Sequence, residues 1–286
     1  MVEPVEFIRL IGNEKRIGPS LASVSRHWQG RSERFLFISP HDDDAILGTG
    51  LLMQLAKREN VPVHLLIVTD GTMGYCSADD RTTISQTRKA ETYAAYAKLG
   101  LSPENITWMG FPDCQLCNCL GRRLAAEGDP AAIAGYTGLQ NSFTHHLRRI
   151  RPTQTFVATA ADLHPDHRHT HNELMISIFH AAGEIWPELG EPLASVPYVN
   201  EYAVYCDFPG TPSLRVQASA DLLTHKLEAI GCFISQRQIG AIVQAVSDAG
   251  PEEYFRSCDL ALYHPAKYRM LFEQPLLLRT IRGPGM

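Results

Sequence analysis

From residue 34 to residue 182 the chain alternates short apolar runs with longer amphipathic ones, and few folds accommodate that rhythm. Segments 34–39 (RFLFIS), 61–71 (VPVHLLIVTDG), 105–110 (NITWMG) and 153–160 (TQTFVATA) are apolar or β-branched and end in turn residues. Runs of this kind predict buried strands. Between them, 45–58, 81–99, 132–149 and 167–182 space their apolar residues as helices do, and the second stops at Gly100, a favourable residue just past a helix end. Strand and helix in alternation predict an α/β fold, a mostly parallel sheet with helices on both faces. Further on, 197–206 and 212–217 predict strands, 221–236 and 237–248 helices, and 259–265 (DLALYHP) a late strand. No repeat or linker rich in Gly, Pro or Ser interrupts the chain. The expectation is one domain over 1–286, with 200–286 a less regular C-terminal part.

Ligand sites in open α/β sheets lie beyond the carboxyl ends of the strands. Two predicted strands end in unusual polar clusters. The first runs into Ser39-Pro40-His41-Asp42-Asp43-Asp44 and the fourth into Asp162-Leu163-His164-Pro165-Asp166-His167. One Asp suffices to cap a helix, and the helix dipole favours further acids by only about 0.3–1 kcal/mol each. Three adjacent carboxylates beside an imidazole are better explained by a cation. In the second cluster, four of the twelve histidines (His164, His167, His169 and His171) fall within eight residues. The alternative for each cluster alone is a capped, solvated helix start. Together they predict a metal site, provided the two strands are neighbours. Two imidazoles and one carboxylate leave positions open on zinc, the catalytic pattern. The same set also serves iron. Asp43, a base beside a ligand, favours hydrolysis over oxidation.

These residues resemble the motifs of the PIG-L/LmbE-like N-deacetylases. SPHDDDAILGTG matches the first motif, although many members have Pro where this chain has Asp42, and HPDH at 164–167 matches the second. VTDG at 68–71, Arg88 with Glu91, GFPD at 110–113 and KLEAIGCFISQ at 226–236 fall in the family's order, so the resemblance spans about 34–236. It implies a Rossmann-like fold and a zinc ion bound by His41, Asp44 and His167. It also implies Asp43 as general base, His164 as oxyanion stabiliser and Asp166 as the residue that orients His164. The implied substrate is an N-acetylglucosamine-type sugar or glycoconjugate. Some members carry Tyr two residues before HPDH, where this chain has Asp162. Arg88 and Asp113 are candidates for sugar hydroxyls. Zinc is expected, and Fe²⁺ or Co²⁺ shares its ligand chemistry.

Composition removes several other classes. With 44% hydrophobic and 20% charged residues the chain is globular, and a net charge of −5 without a basic stripe argues against nucleic acid. The start, MVEPVEFIRL, lacks the basic and long apolar regions of a secretory signal, and no run reaches membrane-spanning length. A cytoplasmic chain is the expectation. Seven cysteines, three of them clustered at Cys114, Cys117 and Cys119, fit reduced thiols in a loop better than a zinc knuckle lacking its fourth ligand. Gly48-Thr49-Gly50 suggests a nucleotide fold only weakly, since its third glycine is absent. A metal site without catalysis, or hydrolysis of another amide, remains an alternative. A homo-oligomer is compatible with the apolar stretches 194–206 and 259–277.

Overall fold

The computed structural model describes residues 5–25, 27–258, 260 and 263–273. Its strands are β1 Glu6–Ile11, β2 Glu14–Gly18, β3 Phe35–Ser39, β4 Val63–Thr69, β5 Ile106–Phe111, β6 Arg123–Leu124, β7 Tyr136–Thr137, β8 Gln154–Ala158, β9 Tyr198–Tyr202, β10 Leu214–Gln217 and β11 Glu252–Cys258. Its helices are α1 Leu21–Val24, α2 Asp44–Arg58, α3 Ile84–Lys98, α4 Leu139–Ile150, α5 Pro165–Ala182, α6 Ala220–Ile230, α7 Ile239–Ala249 and α8 Pro265–Glu273.

Nine strands make one sheet in the order β2-β1-β10-β11-β9-β8-β3-β4-β5. The five strands β9-β8-β3-β4-β5 are parallel, as the alternation predicts. The parallel part starts at β3, steps outward through β4 and β5, then returns to the other side of β3 with β8 and β9. The order therefore reverses between β3 and β8, the place where such sheets bind ligands. Beyond β9 the sheet continues antiparallel through β11, β10, β1 and β2. The N-terminal hairpin β1–β2 has no counterpart in the sequence expectations.

Every residue of β3 is buried, which explains its unbroken apolar run. Alternate side chains enter opposite layers, as the two-residue strand period requires. Phe35 and Phe37 join Leu51, Leu55, Tyr96 and Phe233 on one face. Leu36 and Ile38 join Phe143, Leu147, Leu174 and Ile178 on the other. Gly48 lies inside α2 rather than on a strand-to-helix turn, and a Cβ there would collide with the Tyr202 ring. The small residue lets α2 press against β9. That removes the nucleotide-loop reading of Gly48-Thr49-Gly50.

Three boundaries differ from expectation for physical reasons. The helix expected from 132 begins only at Leu139, because Gly135 and Gly138 have φ of 81° and 110°, outside helical space. The helix expected over 221–236 stops at Ile230, and the turns that follow lead Ser235 and Gln236 toward the site. The expected strand 259–265 lies partly outside the described residues; the strand seen in this region is β11, just before it. Among the described residues no helix is long and apolar enough to cross a membrane.

Candidate active site and metal centre

β3 and β8 lie side by side, so both polar clusters meet at the carboxyl edge of the sheet. Short tethers fix the first cluster. Ser39 Oγ accepts the Ala45 N–H at 2.9 Å, and Thr69 Oγ1 on the neighbouring β4 donates to the Pro40 carbonyl at 3.0 Å. α2 begins at Asp44 and α5 at Pro165, so two helix N-termini converge here, and their dipoles favour acidic groups.

The three adjacent carboxylates turn to three different partners. Asp42 is buried under the Arg88 guanidinium, which donates through Nε at 2.8 Å and through a second nitrogen, while Thr92 Oγ1 donates at 3.2 Å. Asp43 accepts from Gln236 Nε2 and lies 3.3 Å from Arg88. Burial alone lowers the Arg88 pKa, but Asp42 and Asp43 outweigh it and raise the pKa above the ordinary value. Asp44 faces the imidazoles: its Oδ2 is 3.0 Å from His41 Nδ1 and 3.1 Å from His167 Nε2.

Those two ring nitrogens are 3.3 Å apart, so three donor atoms from the two clusters form a nearly equilateral triangle. Zinc bonds of ~2.0–2.1 Å at tetrahedral angles set neighbouring ligands about 3.3 Å apart. The triangle therefore fits one face of such a coordination sphere. The electrostatics agree. Burial disfavours charge at all three groups, yet Asp44 raises the pKa of both His41 and His167, and the two imidazoles hold Asp44 well below the usual carboxylate range. The pocket thus favours positive charge between these groups. Asp44 Oδ1 is buried without a hydrogen-bond partner among the described residues, leaving a lone pair for a cation.

Around the triangle, carboxylates hold the ring positions. Asp162 Oδ2 is 3.1 Å from His167 Nδ1, and its Oδ1 accepts the His164 N–H at 2.9 Å. Asp113 Oδ1 is 3.3 Å from His41 Nε2. Neither contact has hydrogen-bond geometry, since His167 Nδ1 and Asp113 Oδ1 both lack a hydrogen-bond partner among the described residues, so the two carboxylates act on the rings as neighbouring charges. Asp113 was expected at sugar hydroxyls; the structure sets it against His41, with its other oxygen accepting the Met73 N–H at 3.1 Å. Asp166 contacts His164 through its backbone N–H, donated to His164 Nδ1 at 3.2 Å, while its carboxylate accepts from Cys114 N at 2.8 Å and lies 3.5 Å from His41 Nε2. That carboxylate anchors the long 110–131 loop rather than the His164 ring.

Because His164 Nδ1 accepts, the neutral ring carries its proton on Nε2. Burial, reinforced by His41 and His167, lowers the His164 pKa and favours that neutral form. All eight residues singled out in the sequence are gathered here. Their cavity, about 180 Å³, is lined by His41, Asp43, Arg88, Asp113 and His164 among others. Arg88 retains one nitrogen without a partner among the described residues.

Three contributors lay outside the predicted set. Asp162 opened the second cluster and stood in place of a tyrosine, with no role assigned to it. Gln236, 193 residues from Asp43, arrives because Glu91 takes the Ser235 N–H at 2.8 Å and its hydroxyl at 2.7 Å. Tyr205 stacks on His167 with ring centroids 5.4 Å apart. Cys114, Cys117 and Cys119 are free thiols and join none of the metal-capable groups among the described residues.

Comparison with known proteins bears on this arrangement. A comparison with curated protein sequences gives no match. Among solved structures, the chain is similar to N,N'-diacetylchitobiose deacetylase from Pyrococcus horikoshii in complex with its inhibitor, with a TM-score of 0.63 and 23% identity over 79% of this chain and 84% of that one. It is also similar to 4-carboxy-2-hydroxymuconate hydratase from Pseudomonas putida KT2440, with a TM-score of 0.58 and 17% identity over 81% and 98%. The zinc-inhibited form of a teicoplanin deacetylase gives a TM-score of 0.51 and 17% identity over 80% and 100%. At these identities the likeness establishes the fold alone. The sequence profile of PIG-L, described as GlcNAc-PI de-N-acetylase, matches residues 36–178, half of the chain and the part that carries both strand-end clusters. The chain belongs to the PIG-L family.

Proposed function

We propose that the protein is a divalent-metal N-deacetylase, with zinc as the metal, that removes an acetyl or similar acyl group from the nitrogen of an N-acetylglucosamine-type sugar or glycoconjugate. The observation that carries this reading is the His41–Asp44–His167 triangle with Asp43 and His164 opening on the same cavity. The family match and two structural neighbours that are deacetylases support the same reaction.

His41 Nδ1, Asp44 Oδ2 and His167 Nε2 would hold the ion, with Asp113 and Asp162 steadying the two imidazoles. Bound there, a divalent ion supplies a Lewis acid that activates water and polarises the amide carbonyl. Asp43 is the base, taking a proton as water adds to the carbonyl carbon. Gln236 and Arg88 donate to it, holding one oxygen and leaving the other for that proton. The His164 Nε2–H donates to the oxyanion that develops. The C–N bond then breaks as the nitrogen takes a proton, releasing carboxylate and amine. The unpartnered Arg88 nitrogen is the donor left for a substrate hydroxyl.

The test is acetate release from a panel of N-acetyl sugars by the purified protein, before and after chelation, with Asp43→Asn alongside. Turnover should vanish with chelator, return with Zn²⁺, and fall at least a hundredfold in Asp43→Asn while metal content is unchanged. Near-full activity in Asp43→Asn refutes the mechanism. No acetate from any sugar, with turnover on another amide or on an alkene acid of the hydratase type, moves the substrate assignment.

A further inference from the structure

At the opposite edge of the sheet, the amino ends of β8 and β9, one sheet face changes character. Phe7, Phe156 and Phe255 belong to the core on that face. Two residues along each strand, on the same side by the strand period, stand Arg9, Gln154 and Ser257, with Asn200 paired beside Ser257. Together with Ser25 and His27 they line a cavity of about 340 Å³.

Its lining holds two guanidiniums, Arg9 and Arg256, and among the described residues no carboxylate. Arg256 is paired with Glu201 at 2.7 Å, which lies outside the lining. Among the described residues Arg9 has no such partner, and its one side-chain hydrogen bond is a long 3.4 Å donation to Ser257 Oγ. Ser257 is itself shared, lying 2.9 Å from Ser213 Oγ and 3.4 Å from Asn200 Oδ1. Arg9 Nε, Asn200 Nδ2 and Ser25 Oγ are buried without a partner among the described residues. Arg9 is half-buried and its Nε fully so, and a guanidinium taken partly out of water gains from a counter-ion. Burial lowers the Arg9 pKa, the direction expected of a guanidinium without a neighbouring anion. His27 and Tyr198 stack with centroids 4.5 Å apart and line one side of the cavity.

We propose that this cavity is an anion site, distinct from the candidate active site, in which Arg9 pairs with the phosphate or carboxylate group of a small molecule. Arg9 offers the forked donors that match an oxyanion, and Ser213, Ser257 and Asn200 surround them with polar groups that carry no competing negative charge.

The test is thermal melting and calorimetric titration of the full chain with inorganic phosphate and, separately, succinate, against sodium chloride at equal ionic strength. One of the two anions should bind saturably and raise the melting temperature, and whichever does names the chemistry. Arg9→Met, which keeps the apolar stem, should weaken that binding at least tenfold. Asn200→Asp puts a carboxylate into the cavity; it should melt higher than the parent without anion and lose the anion response. Arg16→Met, at an exposed pair with Glu14 on β2, should bind as the parent does. Saturation by neither anion overturns the proposal. So does equal affinity in the parent and in Asn200→Asp, a comparison that stands if Arg9→Met does not fold.

Discussion

Replacing Asp162 by Asn tests how the proposed metal centre is held. The Asp162 carboxylate is fully buried, 3.1 Å from the Nδ1 of an equally buried His167. At that distance the carboxylate acts on the ring as a charge, His167 Nδ1 having no hydrogen bond among the described residues, so exchanging carboxylate for amide removes a negative charge held 3.1 Å from a ring proposed to carry a dication. Outer carboxylates of this kind contribute roughly 10–100-fold to metal affinity. Asp162→Asn should accordingly bind Zn²⁺ 10–100-fold more weakly in competition with a chromophoric chelator at pH 7.5. Asp162→Ala should reach or exceed the upper figure, because it also frees the His164 and Tyr205 N–H groups that the carboxylate accepts. Metal-free melting of Asp162→Asn should stay close to the parent. A folded Asp162→Asn protein that binds Zn²⁺ within threefold of the parent would refute the argument that this carboxylate supports His167 as a ligand.

Other outcomes follow from particular contacts. Glu253 accepts the Leu51 and Leu52 N–H groups at 2.8 and 2.9 Å in the middle of α2, and Lys226 joins it at 2.8 Å while donating to the Leu47 carbonyl at 2.7 Å. Lys226→Met strands that buried carboxylate, so urea unfolding should show a loss of ~3–5 kcal/mol; a change below about 1 kcal/mol would show the pair to be dispensable. His146, buried on α4, has its pKa lowered to about 4 by burial, with His145 and Arg149 adding to it. The unfolded chain binds this proton near pH 6.5, so the stability contribution is complete above that pH and is lost as pH falls toward 4, by up to about 2 kcal/mol between pH 7 and 5. His146→Phe should lose less stability than the parent over that interval in parallel urea titrations. Metal affinity should also fall with acidity, because Asp44 raises the pKa of both His41 and His167 and a proton must leave each before an ion can bind. Chelator competition at pH 8 and pH 6 reads this directly, and a flat profile would argue against the two imidazoles as ligands.

Local pattern alone determined much of this protein. The strand-helix rhythm of 34–182 announces a parallel sheet, because strand and helix periods are written in neighbouring residues. His41, Asp43, Asp44, His164 and His167 could be singled out because each cluster carries more charge and imidazole than a helix cap needs. Only the tertiary structure decided that these clusters share a site. β3 and β8 are separated by four strands and three helices in the chain, and which strands become neighbours is settled by long-range packing that leaves no local trace. The same holds for the roles of the surrounding residues. Asp42 takes Arg88, Asp113 takes His41, and Gln236 reaches Asp43 only because Glu91 on α3 holds the turn that carries it. A carboxylate's partner is set by what folding brings within about 3 Å, and spacing along the chain does not encode that distance.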